Sequence, residues 1–157
     1  IGPNVRLYWD QAVYKKPGTR DEFPWHQDNG YTFIEPQAYL TCWVALTDTD
    51  ETNGCPCVLP GLHKHGTLHH DTTDLGHEIG LDSTDSLSIP LKAGSIAIFS
   101  SLTPHRTGPN LSDKVRKSYI LQYAPEGARR LISHTLTEEV NDESRQFLIL
   151  KDGLSVD

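Results

Sequence analysis

Residues 39–46 read YLTCWVAL, and this stretch decides the fold. Alternate positions gather Tyr39, Thr41, Trp43 and Ala45 on one face and Leu40, Cys42, Val44 and Leu46 on the other, the period-two pattern of a β-strand. Apolar residues on both faces predict a strand covered from two sides. Upstream, Val5–Tyr14 mixes β-branched and aromatic residues ahead of a KKPGTRDE turn, as a strand entering a loop does. Downstream, TDTDETNG reads as a loop and CPCVLPG as a short extended piece. LHKHGTLHHDTTDLGHE is a polar connection carrying five of the eight histidines. Leu87–Leu91 and Ser95–Phe99 are two more strands with a tight KAG turn between them, and Ser118–Ala124 (SYILQYA) is the last. Only Glu138–Leu150 has apolar spacing loose enough for a helix. Short strands between turn signals, with little helix, predict an all-β barrel or jelly roll.

Composition agrees. Ten prolines and twelve glycines in 157 residues imply many short elements, and the length is that of a single domain, 1–157, able to bury its own core. Fourteen basic against twenty-one acidic residues leave a net charge of −7, which argues against nucleic acid or an anionic membrane as partner. No apolar run is long enough to span a bilayer, and IGPNVRLYWD lacks the regions of a signal peptide, so a cytoplasmic protein is expected. Three cysteines, Cys42, Cys55 and Cys57, do not form a disulfide framework, and their spacing is not that of a zinc site. Cys42 is expected to be a small buried hydrophobe.

Chemistry first shows at residues 23–32, FPWHQDNGYT. In extended backbone, residues two apart project to the same side, so His26 and Asp28 can reach one point. Such a pair is weak evidence in a chain with eight histidines; a second, distant imidazole is needed. His105, in SSLTPHRTGPN just beyond the apolar strand 94–99, is the candidate. Two imidazoles and one carboxylate on one octahedral face leave positions open for substrate and oxygen, the arrangement that suits Fe(II). Eleven residues on, Arg116 begins the strand that also carries Ser118 and Ile120. Its planar, permanently charged fork suits a carboxylate. The alternative is an exposed arginine paired with Asp113 or Glu126. Arg106 is assigned to solvent.

HQD, CWVALTD, NGCPCVLPGLHKHG, KAGSIAIF, PHRTGPNLS and VRKSYILQYAP occur in that order between about Asn4 and Pro125. This series resembles the phytanoyl-CoA dioxygenase family of Fe(II)- and 2-oxoglutarate-dependent oxygenases. The resemblance implies a double-stranded β-helix, a cupin-like jelly roll, with iron held by His26, Asp28 and His105. It also implies that Arg116, helped by the hydroxyl of Thr107, binds the distal carboxylate of 2-oxoglutarate, and that Gln11 and Trp43 line the co-substrate pocket. For Trp43 the alternative is plain core packing. The implied reaction hydroxylates a small-molecule or acyl substrate while 2-oxoglutarate is decarboxylated to succinate and CO2, with ascorbate as a supporting reductant. Halogenating relatives replace the carboxylate ligand by a small residue; Asp28 is present, which favours hydroxylation.

Relatives carry a sizeable N-terminal region of helices and strands, whereas this chain starts almost at the first metal-side strand. It is therefore expected to be the C-terminal part of a longer fold, with an uncovered apolar face or edge that invites a homo-oligomer. Two other readings stay open: a cupin-type barrel doing non-oxidative work, which needs no Arg116 anchor, and an inert relative or fragment. PGLHKHG resembles the family's PGSHK-like turn, which implies that His63 approaches the active-site mouth, while His65, His69 and His70 are expected in a solvated loop.

Overall fold

The computed structural model describes residues 1–81, 84–133 and 135–156. The chain opens with β1 (Val5–Lys15), β2 (Phe23–His26), a single helical turn α1 (Asp28–Tyr31), β3 (Ile34–Glu35), β4 (Leu40–Ala45) and β5 (Pro56–Val58). A 3-10 turn (Leu62–His65) leads to β6 (Asp71–Thr73), β7 (Gly76–Glu78), β8 (Leu87–Ser88), β9 (Ile96–Ser100) and β10 (His105–Thr107). Then come β11 (Arg116–Pro125), β12 (Arg129–Leu131), β13 (Thr137–Glu139), β14 (Leu148–Lys151) and β15 (Leu154–Ser155).

Two antiparallel sheets carry the architecture. The major sheet runs β15-β14-β1-β11-β4-β9 and the minor sheet β2-β10-β5-β8; β13-β12-β3 and the β6-β7 hairpin flank them. The chain crosses repeatedly between the two large sheets, from β1 to β2, β4 to β5, β8 to β9 and β10 to β11, which winds the pair into a double-stranded β-helix. The long β1–β11 ladder, from Val5↔Pro125 to Lys15↔Arg116 with a bulge between Leu7 and Trp9, forms the spine of the major sheet. Strict alternation along β11 buries Arg116, Ser118, Ile120, Gln122 and Ala124 on its inner face. Trp43, Ala45, Ala97 and Ile120 form one core cluster against Val13, Ile89, Leu91 and Phe99. A second cluster of Tyr8, Ile34, Tyr39, Ala124, Ala128 and Val140 closes the opposite end.

The structure corrects three expectations. Residues 138–150 are not helical. β13 and β14 pair with β12 and β1, and between them Asp142 accepts hydrogen bonds from the Ser144 amide and hydroxyl, a local turn chemistry that competes with helix. The KAG turn exists, with Gly94 at φ 88°, but it does not join a hairpin. β8 is shorter than 87–91 and pairs with β5, whereas β9 pairs with β4, so the turn carries the chain from the minor to the major sheet. Finally, β4 is covered on one side only. Tyr39, Thr41, Trp43 and Ala45 are buried, while on the outward face Cys42 is half-buried and the neighbouring Ile96 and Ile98 are 51% and 63% exposed. Among the described residues no helix is long and apolar enough to cross a membrane.

Candidate metal and co-substrate site

His26 ends β2 and His105 begins β10, and the register sets them directly opposite one another, so both rings project from the same face of the minor sheet. Their centroids lie 4.1 Å apart. Gln27 continues in extended backbone (φ −111°, ψ 141°), which returns Asp28 to the side of His26 although Asp28 is already the first residue of α1. Asp28 Oδ1 lies 3.8 Å from His26 Nε2 and 3.7 Å from His105 Nε2. These three side chains are a group whose donor atoms all fall within 4.8 Å of one another.

The surroundings prepare all three as ligands. His26 Nδ1 is 2.8 Å from the Pro24 carbonyl and His105 Nδ1 is 3.0 Å from that of Thr103. A carbonyl only accepts, so each Nδ1 carries a proton and each Nε2 is the nitrogen turned inward to the site. Burial, reinforced by His105, pushes the His26 pKa well below its ordinary value and holds the ring neutral. Thr41 of β4 donates its hydroxyl to Asp28 Oδ2, leaving Oδ1 for the imidazoles. Two imidazoles and one carboxylate with oriented outer partners are the donor set that Fe(II) takes.

Gln27, completely buried, points away from the site and clamps it. Its amide donates to the carbonyls of Gly66 and Leu102 and accepts from the Leu68 amide. The Gln27 backbone N–H donates to His70 Nε2 at 2.9 Å, while His70 Nδ1 bonds the Leu68 carbonyl. A β-carbon on Gly30 would sit 2.1 Å from the His70 ring, so only glycine fits beside it. His70 is therefore no solvated loop residue. Nothing in its local sequence separates it from His65 and exposed His69; only the path of the loop does. His63 lines neither of the cavities described next.

Two cavities meet at the histidine-aspartate group. The smaller, about 180 Å³, extends from His26, Asp28 and His105 past Gln11, Trp43 and Thr107 to Arg116. Arg116 is 1% exposed, donates from Nη1 to Ser118 Oγ at 2.7 Å and lies over the Trp43 ring at 5.3 Å. Its Nε has no partner and, among the described residues, it forms no ion pair; Glu126 is engaged by Arg6. Burial lowers its pKa to about 10, still charged at neutral pH. The larger cavity, about 450 Å³, opens on the other side of His26 and Asp28 between the rings of Tyr8, Trp9, Phe23, Tyr31 and Tyr39. The structure thus brings His26, Asp28, His105, Arg116, Thr107, Gln11 and Trp43 to one connected space. Arg106 departs from expectation: it stacks over Trp25 at 5.1 Å and pairs with Glu22 at 2.5 Å rather than lying free in solvent.

Residues 3–118 match the sequence model of the family described as phytanoyl-CoA dioxygenase. A phytanoyl-CoA dioxygenase of Arabidopsis thaliana is 33% identical over 115 residues, covering 69% of this chain and 41% of that protein. A methylphosphonate hydroxylase of Gimesia maris is 32% identical over 124 residues, covering 78% and 46%. Among solved structures, EvdO2 from Micromonospora carbonacea var. aurantiaca, complexed with 2-oxoglutarate, superposes with a TM-score of 0.71 at 28% identity, covering 87% of this chain and 55% of that one. The chain spans about half the length of these relatives.

Proposed function

The chain belongs to the phytanoyl-CoA dioxygenase family, and on that premise we propose that it is the core of an Fe(II)- and 2-oxoglutarate-dependent dioxygenase that hydroxylates a small-molecule or acyl substrate. One observation carries the reading. A buried, oriented pair of imidazoles and a carboxylate stands at one end of a cavity whose other end is a buried guanidinium that, among the described residues, forms no ion pair.

In this reading His26, Asp28 and His105 hold Fe(II), which when bound supplies dioxygen activation coupled to decarboxylation of 2-oxoglutarate to succinate and CO2. The protein's own residues do the rest. Arg116 and the Thr107 hydroxyl grip the distal carboxylate and aim the 2-oxo acid at the three ligands. Trp43 and Ile120 wall the pocket and keep water from the guanidinium. Gln11 and Gln122, which line both cavities, hold the boundary between co-substrate and substrate. The ring-lined larger cavity receives the substrate's apolar part beside Asp28. With a carboxylate among the ligands, hydroxylation is favoured over halogenation. A non-oxidative cupin-type barrel would have no use for a buried, unpaired arginine, which sets that alternative lower.

The test is succinate formation from 2-oxoglutarate with Fe(II) and ascorbate across a panel of acyl, carboxylate and phosphonate compounds. Substrate-stimulated succinate release is the expected result. An iron-loaded protein that neither binds nor turns over 2-oxoglutarate would sink the proposal.

A further inference from the structure

Arg116 is not the only cation at the closed end of the smaller cavity. Lys15, the last residue of β1, is its direct cross-strand partner, so both side chains leave the same face of the major sheet. Like charges directly opposed on an antiparallel pair destabilise it, and burial strengthens the repulsion. The Lys15 stem is half-buried, and Nζ donates to the Gly108 carbonyl at 2.5 Å, the Thr107 carbonyl and Oγ1 at 3.4 Å each, and the Asp21 carbonyl at 3.3 Å. Among the described residues neither cation forms an ion pair. The nearby Glu22 is engaged by Arg106, and the charged neighbours that act on Lys15 are Arg116, Glu22 and Asp21. Burial followed by Arg116 lowers its pKa to about 8, and the Cys55 thiol beside Arg116, pushed up to about 11, adds no negative charge at neutral pH.

Two facing cations, a hydroxyl touching one of them and an unpartnered N–H on the other line a single pocket. The hydrogen bonds of Lys15 and Arg116 hold the two cations in place without cancelling their mutual repulsion, which an anion bound between them relieves. We propose that Lys15 is a second cationic anchor for the distal carboxylate of the 2-oxo acid, which is then held between the Lys15 ammonium and the Arg116 fork, with Thr107 bridging to the lysine. This inference rests on the co-substrate reading given above. It makes the pocket selective for a dicarboxylate, because a 2-oxo acid without the distal group leaves both cations facing each other.

Calorimetry of 2-oxoglutarate binding to the Fe(II)-loaded protein under argon tests it, with wild type, Lys15→Met, Lys15→Arg and Arg116→Ala compared at pH 7 and at about pH 9.5. Losing a charge-assisted contact predicts about 10- to 100-fold weaker binding for Lys15→Met at pH 7, with iron affinity unchanged. The bound carboxylate raises the Lys15 pKa, so the wild-type affinity is full below about pH 8 and falls towards tenfold per pH unit above it. Lys15→Met is flat across that range, and Lys15→Arg binds tightly and is also flat. Wild-type affinity in Lys15→Met, or a pH profile unchanged in Lys15→Arg, overturns the assignment. If Lys15→Met does not fold, the Lys15→Arg profile decides alone. Binding lost in Arg116→Ala but intact in Lys15→Met removes only the lysine; wild type without any 2-oxoglutarate affinity removes the co-substrate reading as well.

Discussion

The two ends of the smaller cavity are built on opposite principles. At the metal end, supplied by the minor sheet and α1, the atoms of the three candidate ligands that face away from the site have partners. Pro24 and Thr103 carbonyls take the Nδ1 protons and Thr41 holds Asp28, so only the intended donor atoms face inward unpaired. At the co-substrate end, supplied by the major sheet, the accounting is left open: Arg116 Nε lacks a partner and Lys15 faces Arg116. Satisfied surroundings fix geometry, whereas a buried charge without a counter-charge favours binding of an anion. The comparison predicts that variants at the two ends behave differently in kind.

The largest effect falls at the metal end. Asp28→Ala removes one of the three proposed ligands, the carboxylate that lies within 3.8 Å of both imidazoles. Iron affinity is expected to drop by more than the roughly 10- to 100-fold that loss of an outer partner costs, and succinate release to vanish. Retained turnover in Asp28→Ala would show that the site lies elsewhere.

Arg116→Met attacks the other end. The affinity for 2-oxoglutarate should fall by about 1.5–3 kcal/mol or more while iron binding stays near normal. Thermal unfolding sharpens the contrast. A buried, unpaired guanidinium costs desolvation energy, so replacing it by an apolar chain of similar length is expected to leave the melting temperature unchanged or raise it. A fall of several degrees would mean that Arg116 is structural and that the contrast between the ends is false.

The same contrast explains what could be read from sequence. The metal end is legible in part because half of its signal is local: His26 and Asp28 lie two apart with extended backbone at Gln27, while His105 is distant and stands out only by its place just beyond a strand. Arg116 is legible because strand alternation places it with Ser118 and Ile120. Lys15 is not, since its meaning comes from pairing with a residue one hundred and one positions away, and register across that distance has no local mark. Thr41 and His70 are hidden for the same reason, one acting across sheets and the other through a loop folded back on Gln27. The strand at 39–46 was plain from its alternation, but its one-sided cover and the crossing of the KAG turn between sheets depend on long-range pairing. At 138–150 the apolar spacing was ambiguous, and Asp142 with its turn partners decides against helix.

His70 gives a smaller effect that extends the comparison to the clamp behind the metal end. Its Nε2 accepts the Gln27 N–H, so protonation there removes an acceptor, and burial holds its pKa below the ordinary 6.5. The sign follows from linkage. The unfolded chain takes up the proton first, so His70 contributes fully above pH 6.5 and loses that contribution as pH falls towards the lowered folded value. In iron-loaded protein, where His26 is withheld from titration, stability should decline below about pH 6.5, and His70→Gln should flatten that decline at a cost of about 1 kcal/mol at neutral pH. An unchanged slope in His70→Gln would detach His70 from the clamp.

The smallest effect belongs to Arg106, which neighbours His105 in sequence and yet faces away from both ends. Its charge is spent on Glu22 and on the face of Trp25, and its side chain is one-third exposed. An exposed ion pair contributes about 0.2–1 kcal/mol and an exposed cation–π contact about 0.5–1 kcal/mol, neither directed at the cavity. Arg106→Gln is therefore expected to cost at most about 1 kcal/mol of stability and to leave 2-oxoglutarate affinity and its pH profile as in wild type. Because Arg106 and Arg116 carry the same charge on consecutive strands of different sheets, any general electrostatic attraction of a dianion would weaken in both variants. A loss of 2-oxoglutarate affinity in Arg106→Gln comparable to that in Arg116→Met would replace the two-cation pocket by a diffuse field.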